Sequence, residues 1–143
     1  MKYIAIALYS ATVLCRSAIA DPACEDRTVL VAQCFDFRGR ISVYNGTPAV
    51  RIWPVGTKRL LGVLTVIDEI GDEGETFAGP PILKKWLDHK SQIFSGLRVC
   101  ALTEEKVGHM RTVCIESAQN IRVERQSYPR GKIEIFHVAD PEG

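Results

Sequence analysis

The chain has no excess of charge of either sign, because its 18 Lys and Arg residues are matched by 17 Asp and Glu residues. Proteins that bind the phosphate backbone of nucleic acids usually carry a clear basic excess. Without its first twenty residues, which contain Lys2 and Arg16 and no acid, the chain keeps 16 basic and 17 acidic residues. The composition therefore predicts no nucleic-acid partner.

The sequence also lacks the spacings of the common catalytic and metal sites. It contains no H-E-x-x-H, G-x-S-x-G, P-loop or EF-hand pattern, and its cysteines form no C-x-x-C pair of the kind found in zinc sites. The three histidines, His89, His109 and His137, are far apart in the chain. We expect no metal, no cofactor and no catalytic residue. The rival hypothesis is a small exported hydrolase that joins His109 or His137 to a distant carboxylate.

Long apolar runs are missing after the first twenty residues. Lys2 precedes a mostly apolar run over residues 3–14, and Ala18-Ile19-Ala20 fits the small-x-small pattern of a cleavage site. The run is shorter than the roughly 20 residues that span a bilayer. Residues 1–20 are therefore predicted to be a signal peptide. Residues 21–143 are predicted to form one β-rich domain without a transmembrane segment, in the periplasm or secreted.

Four cysteines remain after that cleavage, and an even number suits two disulfides in an oxidising compartment. Two predicted strands, residues 97–103 and 111–116, form a hairpin if Cys100 lies opposite Cys114. Directly opposed strand residues have Cα atoms about 4.5 to 5.5 Å apart, which is within reach of a disulfide. The sequence therefore favours a Cys100–Cys114 bond, which leaves Cys24 to pair with Cys34.

The clearest structural signal is Asn45-Gly46, between two runs of alternating apolar and polar residues. Asn-Gly is typical of a two-residue type I′ hairpin turn, in which both central residues have positive φ. This turn places Ile41 opposite Val50 on an apolar face. It also places Arg40 opposite Arg51 on a polar face.

That polar face is the predicted binding surface, and its residues are Arg40, Tyr44, Arg51 and Trp53. Like charges that face each other across a sheet are destabilising. Either an acid such as Asp36 or Glu69 neutralises the two arginines, or an anionic partner does. Arginines beside aromatic rings are common where proteins bind anions, glycans or other proteins. The alternative is an ordinary solvated strand face.

The order of predicted elements indicates a mainly β fold. Three strands are followed by an acidic loop over residues 68–79, one short amphipathic helix and further strands. This β-β-β-α-β-β order, with extra C-terminal strands, resembles an OB-fold, a small antiparallel barrel that binds through its second and third strands and adjoining loops. Another small β-barrel or a sandwich is the alternative. The predicted segments are strands over residues 28–37, 58–67, 97–103, 111–116, 119–125 and 132–138, and a helix over residues 82–94 with a stripe of Leu83, Trp86 and Leu87.

The Asn-Gly-Thr-Pro stretch at residues 45–48, followed by Arg51-Ile52-Trp53, is similar to a stretch in short exported bacterial proteins of unknown function. This resemblance implies export and brings no activity with it. The sequence as a whole predicts a non-enzymatic binding or interaction module of the cell envelope or secreted space, with a protein, a glycan or an anionic ligand as its partner. A structural component of the envelope is a further alternative.

Overall fold

The structure is a computed structural model that describes residue 24 and residues 30–67, 75–127 and 131–139, with the backbone alone at 66–67 and 75–76. The predicted signal peptide, residues 1–20, lies outside the described residues. Within the described ranges, no helix has the length and apolar composition that crossing a membrane requires.

Alternating apolar side chains produce most of the strands. In the second strand, Val50, Ile52 and Pro54 are buried and the two residues between them are not, as expected when successive side chains point to opposite faces. The described elements are β1 (Phe35–Val43), β2 (Val50–Pro54), β3 (Leu61–Val63), β4 (Thr65–Ile67), β5 (Glu75–Phe77), α1 (Pro81–Lys84), β6 (Ser91–Ala101), β7 (Arg111–Gln126) and β8 (Ile133–His137).

Five of the strands close into a ring. The main sheet has the order β3-β2-β1-β6-β7-β8 with antiparallel neighbours. β3 also runs parallel to the start of β7, where Leu61 lies beside Arg111 and Val63 beside Val113. This pairing closes β1, β2, β3, β7 and β6 into a barrel, while β4 and β5 form a separate ribbon. The small OB-like barrel with one short helix, predicted from the element order, is confirmed.

The barrel interior is aliphatic. Full burial of each such side chain contributes about 1.5–3 kcal/mol. Leu83 of α1 is fully buried among these strand residues, and it holds in place a four-residue helix that is too short to be stable alone. The predicted Leu83, Trp86 and Leu87 stripe does pack on the barrel. The largest fully buried side chains are Ile41, Ile52, Val63, Leu83, Ile93, Leu97, Val99, Cys100, Val113, Ile115, Ile121 and Val123.

Several predicted boundaries on the N-terminal side are wrong. Residues 30–34 form no strand, so the first strand begins at Phe35, while residues 28 and 29 lie outside the described residues. The single strand predicted over residues 58–67 is two strands, β3 and β4, separated at Leu64. The last residues of the predicted acidic loop form β5, because this segment pairs with β4.

The helix predicted over residues 82–94 is also wrong beyond Lys84. From Ser91 onward the chain is β6, in which Ile93, Ser95 and Leu97 are buried at a spacing of two. Pairing with β1 on one side and β7 on the other outweighs the helical spacing of the preceding residues. The two strands predicted over residues 111–125 are one long strand, β7.

The cysteine hairpin is confirmed, but the predicted disulfides are wrong. Cys100 and Cys114 are neighbours in the register of β6 and β7. The bonds instead join Cys24 to Cys114 and Cys34 to Cys100. Neither the Cys100–Cys114 bond nor the Cys24–Cys34 bond forms.

The β1–β6 register explains the Cys34–Cys100 bond. Phe35 lies opposite Val99, so Cys34, one residue earlier, comes beside Cys100, with Cα atoms 4.1 Å apart. The disulfides span 66 and 90 residues of chain. In a chain-entropy estimate each contributes about 4.5 kcal/mol by restricting the unfolded chain. Both bonds attach the segment before β1 to the barrel.

Candidate functional site

The β1–β2 hairpin carries the predicted binding surface, and its register differs from the prediction by two residues. Arg40 lies opposite Trp53, and Ser42 lies opposite Arg51. The Tyr44 N–H donates to the Ala49 carbonyl at 2.8 Å, so the loop has four residues. The predicted type I′ turn is wrong, because only Gly46, not Asn45, has positive φ among the loop residues. The loop also contains a cis peptide bond between Thr47 and Pro48.

The shift of two residues preserves the faces, because side chains alternate with a period of two. Arg40, Tyr44, Arg51 and Trp53 therefore share the outward face of the hairpin, as predicted. The two arginines, however, do not oppose each other, and the predicted repulsion between directly facing charges is absent. The face is organised by two other contacts.

Each arginine lies over an aromatic ring. The Arg40 Cζ is 4.9 Å from the centre of the Trp53 ring, and the Arg51 Cζ is 5.0 Å from the centre of the Tyr44 ring. Such cation–π contacts contribute about 0.5–1 kcal/mol each at exposed sites. All four side chains are half-buried. Each guanidinium group packs on the aromatic ring beside it.

Hydrogen bonds connect this face to the loops at both ends of β2. The Arg51 Nε donates to the Pro48 carbonyl at 3.0 Å. The Trp53 Nε1 donates to the Thr57 carbonyl at 2.7 Å, in the loop that follows β2. These bonds limit rotation of both side chains and hold them in position.

The row of cations and rings continues onto β6 and β7. Arg40 lies opposite Phe94, and Phe94 lies opposite Arg122. The Arg122 Cζ is 4.8 Å from the centre of the Phe94 ring. Trp53, Arg40, Phe94 and Arg122 thus alternate across four strands. We call this row, together with Tyr44 and Arg51, the arginine–aromatic face.

The sequence prediction missed Phe94 and Arg122. Phe94 lies at the end of the predicted helix, residues 82–94, and a residue in that helix has no predicted pairing with the hairpin. The usable signal was the alternation of Ile93, Ser95 and Leu97, which identifies a strand and places Phe94 on its outer side. Arg122 then follows only from the pairing of β6 with β7.

The charges on this face are unequally compensated. Arg122 forms an ion pair with Glu124 at 2.9 Å. Among the described residues, no carboxylate forms an ion pair with Arg40 or Arg51. Asp36, predicted as a neutralising acid, instead binds Arg98 at 2.7 Å, and Glu69 lies outside the described residues.

Two polar atoms beneath the face are buried without a hydrogen-bond partner in the described part of the chain, the Nε of Arg40 and the Oγ of Ser42. Leaving a buried donor unsatisfied costs about 1–3 kcal/mol. The hairpin thus holds a cation, Arg40, that has no ion pair with a described carboxylate and whose Nε–H donates to no described acceptor.

The cysteines dominate the clusters of metal-ligating side chains in the described ranges. The clusters are Cys24 with Cys100 and Cys114, and Cys34 with Cys100 and Glu116. All four sulfurs are in disulfides and therefore are not the thiolates that bind zinc. Of the described histidines, none belongs to such a cluster.

Compared with known proteins, the chain matches no protein-family model, no curated protein and no solved structure.

Proposed function

We propose that this protein is a non-enzymatic binding module that captures an anionic partner on the arginine–aromatic face. The observation that carries the proposal is the state of Arg40 and Arg51. Both are supported on aromatic rings, and neither has an ion pair with a described carboxylate. An acidic partner supplies the missing negative charge.

The proposed site of action is the periplasm or the extracellular space. The apolar run over residues 3–14 and the Ala18-Ile19-Ala20 pattern support export. The two disulfides support an oxidising compartment.

Among the anticipated partner classes, the contacts favour an acidic protein segment. A neutral glycan stacks its sugar rings on open aromatic faces, but here guanidinium groups occupy the rings of Trp53, Tyr44 and Phe94. The groups that remain for a partner are guanidinium N–H donors, whose fork geometry matches carboxylates. A protein segment in a strand or a loop presents such carboxylates on its glutamate and aspartate side chains.

Calorimetric titration with a blocked hexaglutamate peptide tests the proposal. We expect saturable binding that weakens as salt rises, because screening acts on exposed charges. The double variant Arg40→Gln/Arg51→Gln should bind about tenfold or more weakly, because charge-assisted hydrogen bonds contribute about 1.5–3 kcal/mol.

The matched control is Arg98→Gln/Arg125→Gln, which removes the same net charge from arginines already paired with Asp36 and Glu116 and with Asp88. Equal weakening in both double variants would reduce the effect to net charge and would contradict the site. Binding of heparin oligosaccharides but not of the peptide would replace the protein segment with an acidic glycan.

A further inference from the structure

A groove lies at the end of the barrel where β1 begins. Its walls are the loop between β2 and β3, residues 55–60, and the loop between β6 and β7, residues 102–110. Its volume is about 790 Å³, which is within the range of pockets that hold small molecules, about 300–1,000 Å³. None of the lining residues that the structure describes belongs to the arginine–aromatic face.

The floor of the groove is apolar, and each wall carries an exposed aliphatic side chain. Phe35 and Phe37 stack with ring centres 5.7 Å apart and are half-buried. Leu60 and Val107 stand on the two loops and remain exposed, Val107 completely at 102%. Exposed aliphatic side chains beside a concave aromatic surface are typical of a ligand-binding groove.

The rim of the groove is basic. Among its described lining residues, four are cationic, Lys58, Arg59, Lys106 and Arg111, and one, Glu105, is a carboxylate. Arg59 forms an ion pair with Glu105 and thereby links the two loops across the groove.

The rim cations differ in their contacts with the rest of the fold. Arg111 lies over the Phe35 ring at 5.9 Å and donates from its Nε to the Thr103 carbonyl. Lys58 and Lys106, one on each loop, form no ion pair with any described residue. The groove therefore combines an apolar floor with an uncompensated positive rim.

We propose that this groove binds an anionic amphiphile, a molecule with a single apolar chain and a carboxylate head. The chain lies on Phe35 and Phe37 under Val107, and the head lies between Lys58 and Lys106. A free single-chain molecule fits better than a membrane surface, because the apolar floor is concave and the aromatic rings are only half exposed. This site is independent of the proposed capture of an acidic protein segment.

Calorimetric titration of the purified protein with laurate, below its micelle concentration, tests the groove. Dodecyltrimethylammonium has an alkyl chain of nearly the same length and a cationic head, so it reports apolar binding alone. We expect saturable one-to-one binding of laurate and at least about tenfold weaker binding of the cationic amphiphile, because the rim repels its head.

Variants locate the site. Lys58→Ala/Lys106→Ala and Val107→Asp should each weaken laurate binding about fivefold or more, while Lys84→Ala/Lys132→Ala, which removes the same charge outside the groove, should leave it unchanged. Val107 is fully exposed, so its substitution leaves the core intact, and thermal melting checks this.

Three results would overturn the proposal. They are equal affinity for the two amphiphiles, unchanged laurate affinity in Lys58→Ala/Lys106→Ala, and binding to phosphatidylglycerol vesicles without binding to free laurate. Hexaglutamate binding by the same samples reports separately on the arginine–aromatic face, so the failure of one site is distinguishable from the failure of the other.

Discussion

Asp88 shows how the fold controls the ionisation of a single residue. Burial alone would raise the pKa of this carboxyl, but hydrogen bonds from the Lys90 amide, at 2.8 Å, and from Arg125 lower the pKa below its ordinary value of 3.8. The ion pair with Arg125 connects the turn after α1 to β7. The charged form of Asp88 is therefore favoured by folding.

This shift predicts a pH-dependent contribution to stability. Because the pKa is depressed in the folded state, the contribution is complete above the ordinary pKa and is lost as the pH falls through the folded pKa. Asp88→Asn should lower the free energy of unfolding at about pH 7, and the difference from the wild type should shrink toward zero at about pH 2. Urea unfolding at both pH values measures it. A difference that stays constant with pH would contradict this role.

At the residue scale, the sequence predicted four of the six residues of the arginine–aromatic face but not their pairings. Arg40, Tyr44, Arg51 and Trp53 share a face because side-chain parity survives any even shift of register. The two-residue shift instead depends on the loop, where the chain uses four residues rather than the Asn-Gly pair alone. Local sequence preference did not distinguish the predicted two-residue loop from the observed four-residue loop.

At the scale of elements, the strands that carry the face are fixed by contacts distant in sequence. The residues just before β6 have the apolar spacing of a helix. β6 itself is a strand because it pairs with β1 on one side and with β7 on the other. The hairpin loop is likewise positioned by β3. A Cβ atom added at Gly62 would lie 2.4 Å from the Pro48 Cγ and 3.2 Å from the Met110 Sδ. Because residue 62 is glycine, the hairpin loop with Pro48 and the β6–β7 loop with Met110 can both close over β3.

Replacing this glycine should disturb the loop. Gly62→Ala is expected to lower the free energy of unfolding by about 1–3 kcal/mol, the usual cost of overpacking, because Pro48 belongs to a short loop and cannot move freely. The matched control is Gly96→Ala, since the nearest atom to its added Cβ is 3.7 Å away. Urea unfolding compares the two variants. Equal losses of stability would show that Pro48 does not restrict position 62.

At the scale of the whole molecule, the element order was sufficient to predict an OB-like barrel. It was not sufficient to predict the parallel pairing of β3 with β7 that closes the ring, since the two strands are about 50 residues apart in the chain. The predicted disulfide pairing was wrong for the same reason. Cys100 has a neighbour on each side, Cys114 and Cys34, and only Cys114 belongs to the predicted hairpin.

The disulfide pairing predicts a definite peptide map. Trypsin cleaves after Arg27, between Cys24 and Cys34, and after Lys106 and Arg111, between Cys100 and Cys114. Non-reducing mass spectrometry should therefore recover peptides that join Cys24 to Cys114 and Cys34 to Cys100. Peptides that join Cys24 to Cys34, or Cys100 to Cys114, would contradict the structure.

Nuclear magnetic resonance of the ¹⁵N-labelled protein during titration with hexaglutamate tests whether an anionic partner binds the arginine–aromatic face. The two tryptophans give an internal comparison, because Trp53 lies under Arg40 and Trp86 packs against Phe136. We predict that the largest shifts occur at the side-chain N–H signals of Arg40, Arg51 and Trp53, while the Trp86 indole signal stays in place. Shifts confined to other surfaces, or no shifts at saturating peptide, would contradict capture of an anionic partner on the arginine–aromatic face.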